Sequence, residues 1–272
     1  MSTKEINISV IVAAYNYEPF LEAALESIRQ QSFQQWECII IDDGSTDGSA
    51  AVAQRFAAED ARFIYAFQEN QGIAASRNKG IAMARGAYIQ LLDSDDLIQA
   101  HKLEYQKQVL DSHPEVSVVY GDALFFATAY PDQHYYSRRG ATKRPQRPAP
   151  EAVQKLLLRD NFLVISAPLM RRRIFDEGIL FDTGFSTYED WKFWMDVSTA
   201  GHRFLYTDAP DTATLIRFGH SSLMTKDRQM NLGARKLRRA LNHKLNPGDK
   251  AYNYYRQFRL FLKALYLRLS GK

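Results

Sequence analysis

The 272-residue chain has one cysteine, no long apolar run and no glycine-rich phosphate loop. A single cysteine excludes an internal disulfide framework and any all-cysteine zinc site. No stretch reaches the roughly 18 consecutive apolar residues of a membrane-spanning helix. The opening MSTKEINIS has no apolar leader core, so a cytoplasmic location is expected. Neither GxGxxG nor GxxxxGK[ST] occurs, which argues against a dinucleotide fingerprint or an ATPase phosphate loop. Any diphosphate binding would then depend on a metal.

A strong excess of one charge is also lacking, with 35 Lys/Arg against 31 Asp/Glu and a net charge of +4. The distribution is uneven. Residues 1–225 carry 22 basic and 29 acidic side chains, a net of −7, whereas residues 226–272 carry 13 and 2, a net of +11. Positions 138–147 hold five basic residues and no acid. No helix-turn-helix, zinc or RNP pattern accompanies this basicity, so nucleic acid is not an expected partner.

What is present is an ordinary globular composition, 46% apolar and 24% charged, long enough for one large core. The β-rich run 6–14 stops at Tyr15-Asn16-Tyr17-Glu18-Pro19. A helical spacing of Phe20, Ala23, Ala24, Ser27 and Ile28 follows. Strand patterns at 36–41, 62–66 and 88–92 alternate with helical patterns at 49–58 and 73–84. This alternation predicts an α/β fold with a mostly parallel central sheet flanked by helices. Further on, the pattern predicts helices over 97–110, 151–158 and 188–200, an extended segment over 164–170 and strands over 116–120, 203–206 and 214–217. Residues 130–150 read as a long surface loop, and the chain from about 224 as mainly helical. One continuous sheet with a nucleotide half and an acceptor half is expected.

In open α/β sheets, ligands bind beyond the carboxyl ends of the strands. Polar clusters fall at three such ends: Tyr15-Asn16, Asp42-Asp43-Gly44-Ser45 and Asp93-Ser94-Asp95-Asp96. Three carboxylates within four positions repel unless a cation or donor offsets them. Oxygen ligands of this kind suit Mg²⁺ or Mn²⁺ completed by diphosphate oxygens. The simpler alternative is a helix cap, with Asp95 or Asp96 opening a helix at Leu97. Asp42 and Asp43 equally suit a base or ribose contact, or a tight turn. Asp190, taken alone, reads as a cap on the helix containing Trp191, Trp194 and Met195. Cys38 reads as a small buried hydrophobe.

Taken together, these motifs resemble family 2 glycosyltransferases, inverting enzymes of the GT-A fold, of the bacterial surface-polysaccharide type. The resemblance runs from Val10-Ile11-Val12-Ala13-Ala14-Tyr15-Asn16 through Ser32-Phe33, Asp42 to Asp47, Asn70-Gln71-Gly72, Arg77-Asn78 and Leu92 to Asp96. It continues with Arg172-Arg173, Phe181-Asp182, Glu189-Asp190-Trp191 and Arg217-x-x-His220-Ser221-Ser222. It implies a UDP-sugar donor, contacted by Ala13, Tyr15, Asp43, Arg77, Asp93, Ser94 and His220. It implies Asp95 as direct ligand of Mn²⁺ or Mg²⁺, with Asp93 beside it, and Asp190 as catalytic base. Glu189 and Trp191 are implied in acceptor binding. The acceptor implied is a hydroxyl of a glycan or lipid-linked saccharide.

The expected organisation is a GT-A unit over 1–225, with a nucleotide-sugar half to about 120, followed by a basic amphipathic helical extension over 226–272. In that extension Tyr254, Tyr255, Phe258, Phe261, Leu262, Leu265 and Leu269 recur at helical spacing, with Arg256, Arg259 and Lys263 on another face. Packing on the body and peripheral contact with the inner face of the cytoplasmic membrane are both open. A homodimer is open as well. Two other functions compete: a non-catalytic sugar-nucleotide or glycan-binding module, and a membrane-associated scaffold.

Overall fold

Strands buried along their whole length organise the structure, a computed structural model that describes residues 6–137, 141, 148–219 and 227–269. The first hundred residues form β1 (Ile8–Ala14), α1 (Glu18–Arg29), β2 (Trp36–Asp42), α2 (Ser49–Glu59), β3 (Phe63–Phe67), α3 (Ile73–Met83) and β4 (Tyr88–Asp93). Every residue of β1 and β2 is buried, as both-face coverage of a parallel sheet requires. The chain continues with β5 (Leu97–Ile98), α4 (Lys102–Ser112), β6 (Val116–Tyr120), β7 (Ala123–Ala127) and β8 (Tyr130–Tyr135). Then follow α5 (Val153–Arg159), β9 (Pro168–Arg171), α6 (Arg173–Asp176), α7 (Glu189–Thr199), β10 (Arg203–Tyr206) and β11 (Thr214–Phe218). Two helices close it, α8 (Asp227–Leu241) and α9 (Pro247–Leu269).

Among the described residues, seven strands form one sheet in the order β10-β6-β9-β4-β1-β2-β3. All neighbours are parallel except β9, which runs antiparallel to both β4 and β6. A second, four-stranded sheet has the order β5-β11-β7-β8. The expected single continuous sheet is therefore two. The helix expected from Leu97 begins only at Lys102, because Leu97 and Ile98 pair with Leu215 and Thr214 of β11. The start of the expected 130–150 loop is β8, an edge strand that pairs with β7.

Apolar side chains pack on both faces of the large sheet. One cluster joins Val10, Val12, Cys38 and Ile40 to Leu21, Leu25 and Phe56 of the flanking helices. The other joins Ile11, Ile39 and Leu91 to Trp191, Trp194, Leu237, Leu241 and Leu245. The helical extension thus shares the main core. Close approach of α3 to the sheet depends on Gly80, where a Cβ would lie 2.4 Å from Ile11 Cγ2. No described helix is long and apolar enough to cross a membrane.

Candidate active site

Parallel pairing sets three strand ends level. Ala14 lies opposite Asp42, and Ala13 opposite both Ile41 and Asp93. The polar clusters that follow therefore share one edge of the sheet. Hydrogen bonds lock them together: Asp43 N–H donates to the Ala14 carbonyl at 2.9 Å, and Ser94 Oγ donates to the Ala13 carbonyl at 2.7 Å. Asn16, at φ 57°, accepts from Thr46 N–H at 2.7 Å, and its own N–H donates to Ser45 Oγ.

Both aspartates at the end of β2 are buried and occupied. Asp42 accepts from Ser45 N–H and from the Tyr65 hydroxyl, each at 2.9 Å. Asp43 accepts from Gln68 Nε2 at 2.7 Å, Gln71 N–H at 2.9 Å and Gly72 N–H at 2.8 Å. Gly72 has φ +87°, a conformation that glycine adopts without a Cβ penalty, and this turns its N–H onto the carboxylate. Asp43 thus fixes the 68–72 turn that leads into α3. Tyr15 stands nearly half exposed beside these loops.

Helix α3 delivers Arg77, which is buried, to the centre of the site. One guanidinium nitrogen donates to Asp93 Oδ1 at 2.7 Å, and the other donates to Glu189 Oε1 at 3.0 Å. The guanidinium also stacks over the Phe181 ring at 5.3 Å. Burial opposes its charge, but Asp93, Glu189 and Asp190 more than offset this and hold Arg77 above its ordinary value. One arginine thereby ties the acid loop of β4 to the first turn of α7.

The acid loop is not a helix cap. Asp96 accepts from Ser166 Oγ at 2.8 Å and from Arg217 N–H at 3.2 Å, while Ser166 Oγ also accepts from Asp93 N–H. Arg217 Nε donates to the Asp95 carbonyl at 3.0 Å. Burial and the nearby Asp93 and Asp95 push the Asp96 carboxyl well above its ordinary range. The same acids, after burial, raise the Tyr17 hydroxyl. The loop therefore crowds three acids around two arginines, Arg77 and Arg217. No three His, Cys, Asp or Glu residues gather into a preformed metal cluster among the described residues. The Asp93 and Asp95 carboxylates still fit a divalent ion completed by substrate phosphates, since such ions use one or two carboxylates with phosphate oxygens.

At the other side of Arg77, Tyr188 takes φ 63° and starts α7. This places Glu189 and Asp190 in the first turn, where the helix dipole favours acids. Asp190 accepts from Asn161 Nδ2 at 2.7 Å. Burial and then the Glu189 carboxylate push Asp190 up to about 6, against the pull of Arg77, Asn161 and the Trp191 N–H. Trp191 itself points into the core. It is 6% exposed, its indole N–H donates to the Leu157 carbonyl at 2.6 Å, and Arg238 stacks over it at 5.3 Å. It supports the turn carrying Asp190 from beneath and offers little open surface for an acceptor.

His220, with Ser221 and Ser222, lies outside the described residues, as does the 138–147 basic stretch apart from Ala141. Tyr17, Asn161 and Ser166 belong to this constellation but carry no motif of their own. Tyr17 alone had a sequence signal, its place directly after the Tyr15-Asn16 strand end.

A parallel sheet with acids gathered at the carboxyl ends of its strands, coupled to a carboxylate on a later helix, defines a nucleotide-sugar transferase fold of the GT-A kind. The chain belongs to glycosyl transferase family 2, whose family model matches residues 9–179. EpsH of Bacillus subtilis (strain 168) is 46% identical over 103 residues, 38% of this chain and 29% of that protein. Glycosyltransferase GlyG of Streptococcus pneumoniae serotype 4 is 40% identical over 114 residues, 41% of this chain and 38% of that protein. These matches span well under half the length of either relative. Among solved structures, S. aureus TarS 1-349 in complex with UDP-GlcNAc aligns with a TM-score of 0.68 at 18% identity, over 94% of this chain and 73% of that one. The mannosyltransferase PcManGT from Pyrobaculum calidifontis, in complex with GDP-Man and Mn²⁺, aligns at 0.65 and 16% identity, over 99% and 77%. At such identities the structural likeness carries the fold.

Proposed function

We propose that this chain is a metal-dependent inverting glycosyltransferase that moves a sugar from a UDP-sugar to a hydroxyl of a glycan or lipid-linked saccharide. Its nucleotide half is about residues 1–120 and its acceptor half about 121–225. It works in the cytoplasm, with contact at the inner face of the cytoplasmic membrane left open. The observation that carries this reading is the chain Asp93–Arg77–Glu189, which couples an acid loop at a sheet edge to the helix turn holding Asp190, a carboxylate pushed up to about 6.

In this reading Tyr15, Asp43 and the Ala13–Ser94 edge face the nucleotide. Asp95, with Asp93, would hold Mg²⁺ or Mn²⁺ against the diphosphate, and that ion would offset charge on the leaving group. Arg77 keeps Asp93 in place and lends positive charge near the phosphates. Asp190 accepts the proton of the incoming hydroxyl as its oxygen attacks the anomeric carbon from the face opposite the diphosphate. One displacement inverts the centre, so an α-linked donor gives a β-linkage. Asn161 holds the Asp190 carboxylate in position, and Trp191 braces its helix.

The test is transfer from a panel of UDP-sugars with Mn²⁺, for the wild type and Asp190→Asn. The variant should lose about 10²–10⁴-fold in transfer rate while keeping donor affinity, read by ligand-induced thermal shift. Undiminished transfer by the variant would remove Asp190 as base. Donor binding without turnover on a broad acceptor panel would favour the non-catalytic binding module instead.

A further inference from the structure

The described surface has one concentration of exposed large apolar side chains, on α8 and α9. Leu232 on α8 and Tyr254, Tyr255, Phe258, Phe261 and Leu262 on α9 are each 46–58% exposed. Scattered exposed apolar residues are ordinary, whereas a contiguous set marks a binding surface. At about 100° per residue, the five α9 residues fall within an arc of about 120°. The opposite face of α9 is already occupied. Asn253 is buried and donates to the Arg238 carbonyl at 2.6 Å, Gln257 donates to the same carbonyl at 3.2 Å, and Tyr252 packs on the core. The aromatic stripe is thus turned outward by packing that is satisfied on its other side.

Arginines border the stripe on both sides. Arg259 is exposed along one flank. Along the other, Arg235 stacks over Phe261 at 5.6 Å, and Arg235 and Arg239 line a shallow depression of about 230 Å³ with Gln257, Phe258 and Phe261. Guanidiniums beside aromatic rings suit phosphate oxygens next to acyl chains. Residues 226–272 hold 13 basic side chains and only two acids, Asp227 and Asp249. A self-complementary interface would bring together two copies of the same arginine-bordered patch, with few acids to offset them. An anionic lipid surface offers the opposite charge.

We infer that the outward face of α8–α9 docks on an anionic bilayer, with Tyr254, Tyr255, Phe258, Phe261 and Leu262 entering the interface and Arg235, Arg239 and Arg259 meeting lipid phosphates. The same extension grips the acceptor half, because Arg238 stacks over Trp191, the residue after Asp190. A docked enzyme therefore holds its base-bearing helix on the element that touches the membrane. This deepens the proposed function by assigning the acceptor to the lipid-linked class, and to that extent rests on it.

The experiment is co-sedimentation of the full-length protein with vesicles of phosphatidylcholine alone or with added phosphatidylglycerol. The wild type should bind the anionic vesicles, and binding should weaken as salt rises. A Phe258→Ser/Phe261→Ser variant and an Arg235→Gln/Arg239→Gln/Arg259→Gln variant should each lose binding, the latter on the order of a hundredfold. Both variants should keep wild-type thermal stability and hydrolysis of the UDP-sugar in solution, since none of these residues touches the site. Failure of the wild type to bind, or equal binding by wild type and variants, overturns the inference. So does a wild-type dimer that Phe258→Ser/Phe261→Ser converts to monomer without any vesicle binding, which would make this face a contact between copies. Vesicle binding without sugar-nucleotide turnover would instead overturn the proposed reaction and leave the docking surface standing.

Discussion

In the proposed reaction Asp190 is the base, and a carboxylate that removes a hydroxyl proton near neutral pH needs to be ionised there yet still basic. Its carboxyl is pushed up to about 6. Transfer should therefore rise with pH through about 6 and level off above it. Stability should move the other way. The folded state keeps the Asp190 proton to higher pH than the unfolded chain does, so between about 4 and 6 the native protein binds more protons, and its stability falls as pH rises through that window. Asp190→Asn should flatten this part of a melting-temperature profile. Asn161 supplies a second handle, since its Nδ2 favours the charged form of Asp190. Asn161→Ala should shift the acidic limb of the rate profile upward and lower activity at pH 6 more than at pH 8. An unchanged limb would mean that Asn161 only fills space.

At the level of elements, the alternation up to β4 was legible because β1, β2 and β4 are buried apolar runs ending in polar turn residues. The second half was harder for identifiable reasons. β5 has only two residues, too few to show a period. β8 contains Pro131 and is exposed almost throughout, so it carries no apolar alternation and lies at a sheet edge, where proline is tolerated. The acids and Arg77 of the site announced themselves at strand ends and within motifs. Asn161 and Ser166 did not, because tertiary packing alone brings them to Asp190 and Asp96, 29 and 70 positions away. Trp191 carried an aromatic signal that suits an acceptor platform and a core anchor equally well, and only its buried indole separates them. Local packing also yields a prediction. Gly80→Val should drive its side chain into Ile11 and cost about 1–3 kcal/mol, lowering the melting temperature by about 2–10 °C. Pairing it with Ile11→Ala should recover part of the loss, a non-additivity expected of residues in contact.

For the whole molecule, the uneven charge suggests a divisible chain, an acidic body and a basic extension, but the packing does not divide there. Leu237, Leu241 and Leu245 are almost wholly buried in the same cluster as Leu157, Trp191 and Trp194, each contributing about 1.5–3 kcal/mol of apolar burial. Arg238 adds a polar pin. It is 1% exposed and donates to the Leu158 carbonyl at 3.0 Å, the Arg159 carbonyl at 3.2 Å and Asn253 Oδ1 at 3.1 Å. Those two carbonyls end α5, where a cation is favourable. Burial, with Arg256 nearby, lowers Arg238 to about 10, which leaves it charged at neutral pH. Removing it would strand buried acceptors and uncover Trp191. Arg238→Met should therefore destabilise the protein by about 2–4 kcal/mol, visible as a lower denaturant midpoint with earlier proteolytic cleavage in α8 and α9. Deleting residues 227–272 removes all three leucines as well, a loss comparable with the whole stability of a typical domain, and the remaining chain should unfold or aggregate. A shortened protein that melts cooperatively at the full-length temperature would show that the basic extension is an appendage after all. Because the same helices support Trp191 beneath Asp190, loss of the extension should abolish sugar transfer even in solution, with no membrane present.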